Sequence, residues 1–314
     1  MEAFKRALVT GGAGFIGSHL TDALVENGCR VTILDNLSTG HRSNIEHLGD
    51  RIDFVHGDIR DAELLDRVVE GCEVVFHQAA VVSVTQSVED PPHSCEVNDL
   101  GTVRVLDACR RSGVRRVVMA SSSAVYGDDP RLPKAEYMAP MPLSPYAVQK
   151  LTGEYYASAF GRLYGLETVC LRYFNVFGPR QDPSSPYSGV ISIFMTKAAA
   201  GQAPTIYGDG GQTRDFVYVK DVVRANLAAA GRAEAAGRVF NVGRGESIRI
   251  SELWDLIGEI AGIELPPAFG PPRPGDIRDS VADIGTIRRE LAFAPEVGLR
   301  QGLEKTLAWV QSEG

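Results

Sequence analysis

Short, mostly apolar runs punctuate the first part of the chain at residues 7–9, 30–34, 52–55, 74–76 and 116–119. Each is too short and too apolar for the in–out alternation of a half-solvated strand, so they predict strands buried on both faces. Between them, residues 15–25, 62–69 and 97–109 repeat apolar positions at helical spacing, and 145–164 predicts a long helix. Repeated β–α units with buried strands specify an α/β, doubly wound parallel sheet. Ligands of such sheets sit at the carboxyl ends of the strands. Those predicted ends carry Gly11, Asp35, Asp58, Gln78 and the run Ser121, Ser122, Ser123, which should therefore line one crevice. Past about residue 176 the texture changes. A proline-rich loop at 178–186 gives way to short elements, with proline clusters at 266–267 and 271–274. This predicts a smaller, less regular α/β lobe.

The stretch between the first run and the first helix reads LVTGGAGFIG. Gly11, Gly12, Gly14 and Gly17 follow a predicted strand and open a predicted helix, the context of a Rossmann dinucleotide turn. Such glycines permit a tight turn, close approach of backbone to a pyrophosphate, and close helix–strand packing. The helix N-terminus offers unpaired N–H groups and partial positive charge to the phosphates. Asp35 ends the second strand, where a carboxylate suits a ribose 2′-hydroxyl and repels a 2′-phosphate. Asn36, not an arginine, follows it. The expected cofactor is NAD. The expected division is an NAD-binding domain over 1–175 and a substrate lobe over 176–314, with chain crossings between them.

Bulk properties narrow the field. The chain has 314 residues, 44% hydrophobic and 23% charged, ordinary for a globular protein. A net charge of −8 gives no electrostatic support to a nucleic-acid or membrane-surface partner. The arginines at 110, 111, 115 and 116 read as a solvated helix end. Five scattered cysteines have no metal-ligand spacing and read as reduced thiols, and no apolar run is long enough to span a membrane. No metal is expected. With the first strand starting almost at once, a signal peptide is not expected and a cytoplasmic location is.

The chemistry centres on residues 144–150, SPYAVQK. Ser144 can cap the helix and Pro145 suits its first position. Tyr146 and Lys150, four apart, then share one face. An ammonium near the phenol, together with a positive nicotinamide, is expected to lower the tyrosine's pKa and make it a general base. The serine run of the preceding strand can share the proton.

The glycine loop, Asp35, the serine run and Tyr146-x-x-x-Lys150 resemble the extended short-chain dehydrogenase/reductase family. Three later motifs extend the likeness over nearly the whole chain: RYFNVFG from Arg172, TRDFV from Thr213 and RPGD from Arg273. Together they are similar to the UDP-hexose 4-epimerase branch. The resemblance implies Ser122, four residues before Tyr126, as the catalytic serine with Tyr146 and Lys150. It implies cofactor contacts from Gly11, Gly14, Phe15, Ile16, Gly17, Asp35, Asn36, Ser38, Thr39 and Gly40. Asp58, Ile59, Gln78, Ala79, Ala80, Asn98, Ser121, Tyr146, Lys150 and Tyr173 complete that set. For a UDP-sugar substrate it implies Ser83, Ser122, Ser123, Tyr146, Asn175, Val190, Tyr207, Arg214, Arg273, Asp276 and Ser280. His77 reads as structural or cofactor-adjacent.

Related enzymes oxidise a sugar at C4 and then divert the ketone with a carboxylate or cysteine just after the catalytic serine. Here Ser123 and Ala124 follow Ser122. A ketone that nothing diverts is re-reduced, which implies 4-epimerisation with tightly held NAD. Ser280 stands where the branch gates the sugar's 2-substituent. A residue this small leaves room for UDP-GlcNAc and UDP-GalNAc beside UDP-glucose and UDP-galactose. A UDP-uronic acid 4-epimerase and a nucleotide-sugar oxidoreductase are the alternatives. The branch also implies a homodimer through helices around 97–109 and 145–164, with Leu151, Tyr155, Ala159 and Leu163 as candidate contacts.

Overall fold

The computed structural model describes residues 4–182, 189–272 and 277–313. Its frame begins with β1 (Arg6–Thr10), α1 (Phe15–Glu26), β2 (Arg30–Asp35), β3 (Ile52–His56), α2 (Ala62–Val69) and β4 (Val74–His77). Next come α3 (Val84–Glu89), α4 (Pro91–Cys95), α5 (Thr102–Arg111), β5 (Arg116–Ser122), α6 (Pro145–Tyr164) and β6 (Glu167–Tyr173). The second part holds β7 (Asn175–Phe177), α7 (Val190–Ala199), β8 (Thr205–Tyr207), β9 (Thr213–Arg214), β10 (Phe216–Tyr218) and α8 (Val219–Gly231). It ends with β11 (Arg238–Val242), β12 (Ile248–Arg249), α9 (Ile250–Ala261), β13 (Ala268–Gly270), α10 (Gly285–Leu291) and α11 (Leu299–Glu313).

Seven parallel strands form the central sheet in the order β11-β6-β5-β4-β1-β2-β3. The order reverses direction at β1 and β4, the switch point where ligands of such folds bind. The strands β1, β2, β4, β5 and β6 are covered on both faces, whereas β3 at the sheet edge is only half-buried, so the expected burial on both faces fails there. One layer packs α1, α8 and α10 against the sheet around Val9, Ile33, Phe76 and Val118. The other packs α2, α5 and α6 around Leu8, Val75, Val117 and Cys170. A third apolar cluster joins α7, α9 and α11 around Phe194, Trp254 and Leu303. Since β11 lies far along the chain yet pairs with β6, the second part returns to complete the first.

Two local features depart from the sequence pattern. The helix expected over 97–109 begins in α4 and passes through a π-helical stretch, Glu96–Gly101, before α5. Strand β5 runs to Ser122 rather than stopping at Met119, because β6 continues to pair with it through Tyr173. Ser121 and Ser122 thus belong to the strand and are placed with its regularity.

Candidate active site

A cleft of about 550 Å3 opens along the carboxyl ends of β1, β2, β4, β5 and β6. At its floor, Gly11 has φ +69°, and a Cβ there would lie 2.8 Å from the Ala79 nitrogen. A Cβ on Gly17 would lie 2.1 Å from the Gly11 carbonyl oxygen, so the turn and α1 approach as only glycines allow. Helix α1 has no side-chain cap. Its first turn, with Gly14, Phe15, Ile16 and Gly17 in the cleft wall, faces the opening. These features fit a pyrophosphate. Asp35 lines the adjoining wall, its carboxylate held by the N–H groups of Ala13 (2.9 Å) and Leu37 (2.8 Å). Asn36, Ser38, Thr39, Asp58 and Ile59 continue that wall, which suits the adenosine half of NAD.

The other half of the cleft is lined by Gln78, Ala79, Ala80, Ser83, Ser121, Ser122, Tyr146, Lys150 and Tyr173. Ser144 caps α6 by accepting from the Ala147 N–H (3.2 Å), and Pro145 takes the first turn. The Tyr146 N–H donates to Ser87 Oγ (3.1 Å). The Ser122 side chain is close enough to the Tyr146 phenol to favour the phenolate. Ser122 Oγ accepts from the Ala124 N–H (3.1 Å), which leaves its hydroxyl proton to donate. Lys150 Nζ donates to the Ala120 carbonyl (3.0 Å) and lies 5.8 Å from the Tyr146 ring centre.

The expected lowering of the phenol draws on two charges, the lysine and the nicotinamide, and the chain supplies only the first. Burial raises the Tyr146 phenol above its usual value, and the Ser122 side chain offsets this only in part. Burial also pulls the Lys150 ammonium down to about 8, and its tie to Ala120 keeps it over the ring rather than at the phenol oxygen. The chain by itself therefore holds the phenol protonated.

Several residues serve the site from behind. The Ser121 hydroxyl donates to Glu154 Oε1 (2.5 Å), whose carboxylate also accepts two bonds from the buried Arg172 guanidinium (2.9 and 2.8 Å). Asn98 is buried behind the wall; both its amide hydrogens are used, on the Val81 carbonyl (2.9 Å) and Gln149 Oε1 (2.7 Å). It clamps the loop after β4 instead of reaching into the cleft. His77 is buried between Thr10 Oγ1 (2.8 Å) and Thr102 Oγ1 (3.0 Å), and burial lowers it to about 3. It is a neutral strut. Gly40 packs on Ala13, outside the wall.

The remaining candidates lie outside this cleft wall: Ser123 in the turn after β5, Asn175 on β7, Val190 opening α7, Tyr207 on β8 and Arg214 on β9. Asn175 Nδ2 donates to the Asp215 carbonyl (3.1 Å). Arg214 donates to the carbonyls of Thr213 (2.8 Å) and Arg278 (3.3 Å). The Ser280 N–H donates to the Thr213 carbonyl (3.2 Å), which sets Ser280 beside Arg214. Arg273 and Asp276 fall outside the described residues. The wall also contains Arg60, Gln86, His93, Phe174 and Arg180, which the sequence reading missed. Arg180 had a signal, since it stands in the proline-rich loop 178–186; Gln86 and His93 had none, being brought in by the packing of α3 and α4 on α6. Among the described residues no cluster of His, Cys, Asp and Glu could hold a metal, and no helix is long and apolar enough to cross a membrane.

The NAD dependent epimerase/dehydratase family model matches residues 7–243, three quarters of the chain. The chain belongs to this family. It is an isomerase and its cofactor is NAD. It is 44% identical to a UDP-glucose 4-epimerase of Mycolicibacterium smegmatis over 98% of this chain and 99% of that one. Its fold matches a UDP-N-acetylglucosamine 4-epimerase from Methanobrevibacter ruminantium with a TM-score of 0.95, at 39% identity over 99% of both chains. It also matches the Thermus thermophilus UDP-glucose 4-epimerase complex with NAD, with a TM-score of 0.89, at 41% identity over 97% and 98% of the two chains.

Proposed function

We propose that the protein interconverts UDP-glucose and UDP-galactose, and UDP-GlcNAc and UDP-GalNAc, by epimerisation at C4 with tightly held NAD. One observation carries this reading. Among the described residues the cleft wall has carboxylates only at Asp35, Asp58 and Asp182, and no thiol. None of these acids lies between Ser122, at the end of β5, and Tyr146, at the start of α6. A 4-keto sugar there meets a phenol and a hydroxyl and nothing to eliminate water. Bound NAD would supply the hydride acceptor and donor for C4 and a positive ring beside Tyr146.

The chain's own groups handle the proton. Tyr146 acts as the phenolate, which a bound positive nicotinamide would favour over the phenol: its Oη accepts the C4 hydroxyl proton and gives it back, with Ser122 Oγ as the second partner of that hydroxyl. Lys150, fixed on the Ala120 carbonyl, adds positive charge beneath the ring. Asn175, Arg214, Arg273 and Ser280 are assigned to the nucleotide-sugar, with Ser280 leaving room for an N-acetyl group. A neutral hexose suits the wall better than a uronate: its two arginines, Arg60 and Arg180, are already paired with Asp58 and Asp22.

We also assign the protein as a homodimer through α6. Tyr155 is 62% and Leu163 72% exposed on that helix, an apolar strip that a second copy would cover. Light scattering of the Leu163→Glu variant tests this, the expected result being a monomer.

The deciding experiment is NMR of purified protein without added cofactor, incubated with UDP-glucose and, separately, UDP-GlcNAc. Axial C4 product from both is expected. Product from UDP-glucose alone would remove the sugar-size argument. A product oxidised, reduced or dehydrated overall would remove the epimerase reading.

A further inference from the structure

After β7, which pairs with β10, the chain enters the wall of the cleft. Arg180, Gln181 and Asp182 line the same cleft as the first turn of α1. Arg180 adopts φ +66°, a left-handed conformation that residues other than glycine seldom hold without outside support. That support comes from α1. Arg180 Nη1 donates to Asp22 Oδ2 at 2.9 Å, with the guanidinium 20% and the carboxylate 10% exposed. The other Asp22 oxygen lies 2.8 Å from His47 Nε2, in the 3-10 turn between β2 and β3. One turn earlier on the same helix, His19 Nε2 lies 2.9 Å from the Pro179 carbonyl. At the far end, His41 Nε2 lies 3.4 Å from Asp182 Oδ2.

Residues 179, 180 and 182 are thus fastened to α1, which the glycine turn opens, and to the segment that follows β2 and its last residue Asp35. Neither Asp22 nor His19 lines the cleft, so these bonds contact no ligand themselves. Their effect is to keep a strained strap in the cleft wall.

We propose that the Asp22–Arg180 pair is a clasp that retains NAD: it holds residues 179–182 closed over the cofactor and sets how slowly NAD leaves. Asp22 and His19 are positioning residues acting through Arg180 and Pro179. The idea rests on the reading of NAD as a resident group that is reset in every cycle, for which slow release is an advantage and a strap in the cleft wall a means.

Two variants separate the clasp from plain stability. Asp22→Asn keeps the shape and one acceptor but removes the charge. Arg180→Gly keeps the left-handed backbone without strain and removes the guanidinium, so a loss there does not come from a distorted loop. NAD dissociation is followed as release into an NAD-scavenging enzyme, and NAD affinity by calorimetry on stripped protein. Losing a charge-assisted hydrogen bond should speed release by about tenfold or more in each variant. The double variant should be no faster than the faster single one, because both remove one interaction. Release within about twofold of wild type in either single variant, or fully additive effects in the double variant, would overturn the clasp. The epimerase reading fails separately. A wild-type protein that holds NAD but does not interconvert C4 epimers would remove that reading and leave the clasp to be judged on release rates alone.

Discussion

At Gly17 an added methyl group would meet a carbonyl oxygen at 2.1 Å, whereas at Ser280 the side chain is half-buried beside two short strands. The two positions typify their regions. The cofactor wall is built from a seven-stranded sheet whose strand ends leave no slack, with glycines at the contacts of turn, helix and neighbouring loop. The region of Arg214 and Ser280 is a set of two-stranded pieces, β9 with β12, β7 with β10 and β8 with β13. These are tied by single links such as Asp215, whose buried carboxylate accepts from the N–H groups of Arg244, Gly245 and Ala282. A rigid wall suits a group that stays bound through many cycles. A surface of short pieces can change its side chains without disturbing the sheet. On this view, lesions on the cofactor side strike the chemical step or the fold, while lesions in the smaller region alter substrate choice.

Four experiments sharpen or break that contrast. Tyr146→Phe should lower kcat by about a thousandfold, or ~4 kcal/mol, since it removes the proposed proton acceptor. NAD content and melting temperature should stay near wild type; a loss of less than tenfold would take Tyr146 out of the proton path. Gly17→Ala should destabilise the protein by about 3 kcal/mol, as expected of a backbone contact that must spread apart. Urea unfolding and NAD content measure this, and a wild-type midpoint with full NAD would show the wall less rigid than argued.

The third concerns pH. Burial lowers His77 to about 3, against about 6.5 in an unfolded chain. Between those values the unfolded state binds the extra proton, so the neutral ring's stabilisation is complete above about 6.5 and lost as pH falls toward 3. Lys150 works in the alkaline range: lowered to about 8 from about 10.4, its burial cost is present below 8 and relieved as pH rises to 10. Urea midpoints from pH 4 to 10 should therefore slope less in His77→Gln on the acid side and in Lys150→Met on the alkaline side. Unchanged slopes would mean that neither group is as buried as the structure places it. The smallest effect is expected from Ser280→Tyr. KM for UDP-GlcNAc should rise by about tenfold, on the scale of a crowded pocket, with UDP-glucose turnover nearly unchanged. An equal loss on both sugars would make the smaller region as unforgiving as the wall.

The parts legible from sequence were those set by local rules. Apolar runs marked the buried strands, glycine spacing marked the turn, and a four-residue interval put Tyr146 and Lys150 on one helical face wherever that helix might pack. Asp35 followed from its place at a strand end. Tertiary structure alone decided what surrounds these groups. It buried the phenol and ammonium together, raising one and lowering the other, a desolvation that the four-residue spacing does not encode. It turned Ser121 toward Glu154, spent the Asn98 amide hydrogens on its neighbours, and brought Arg180 to Asp22 across 158 residues. Periodicity and turn chemistry are properties of a few adjacent residues and survive in the bare sequence. Desolvation and hydrogen-bond partnership depend on which distant segments close around a group, and no local pattern encodes them.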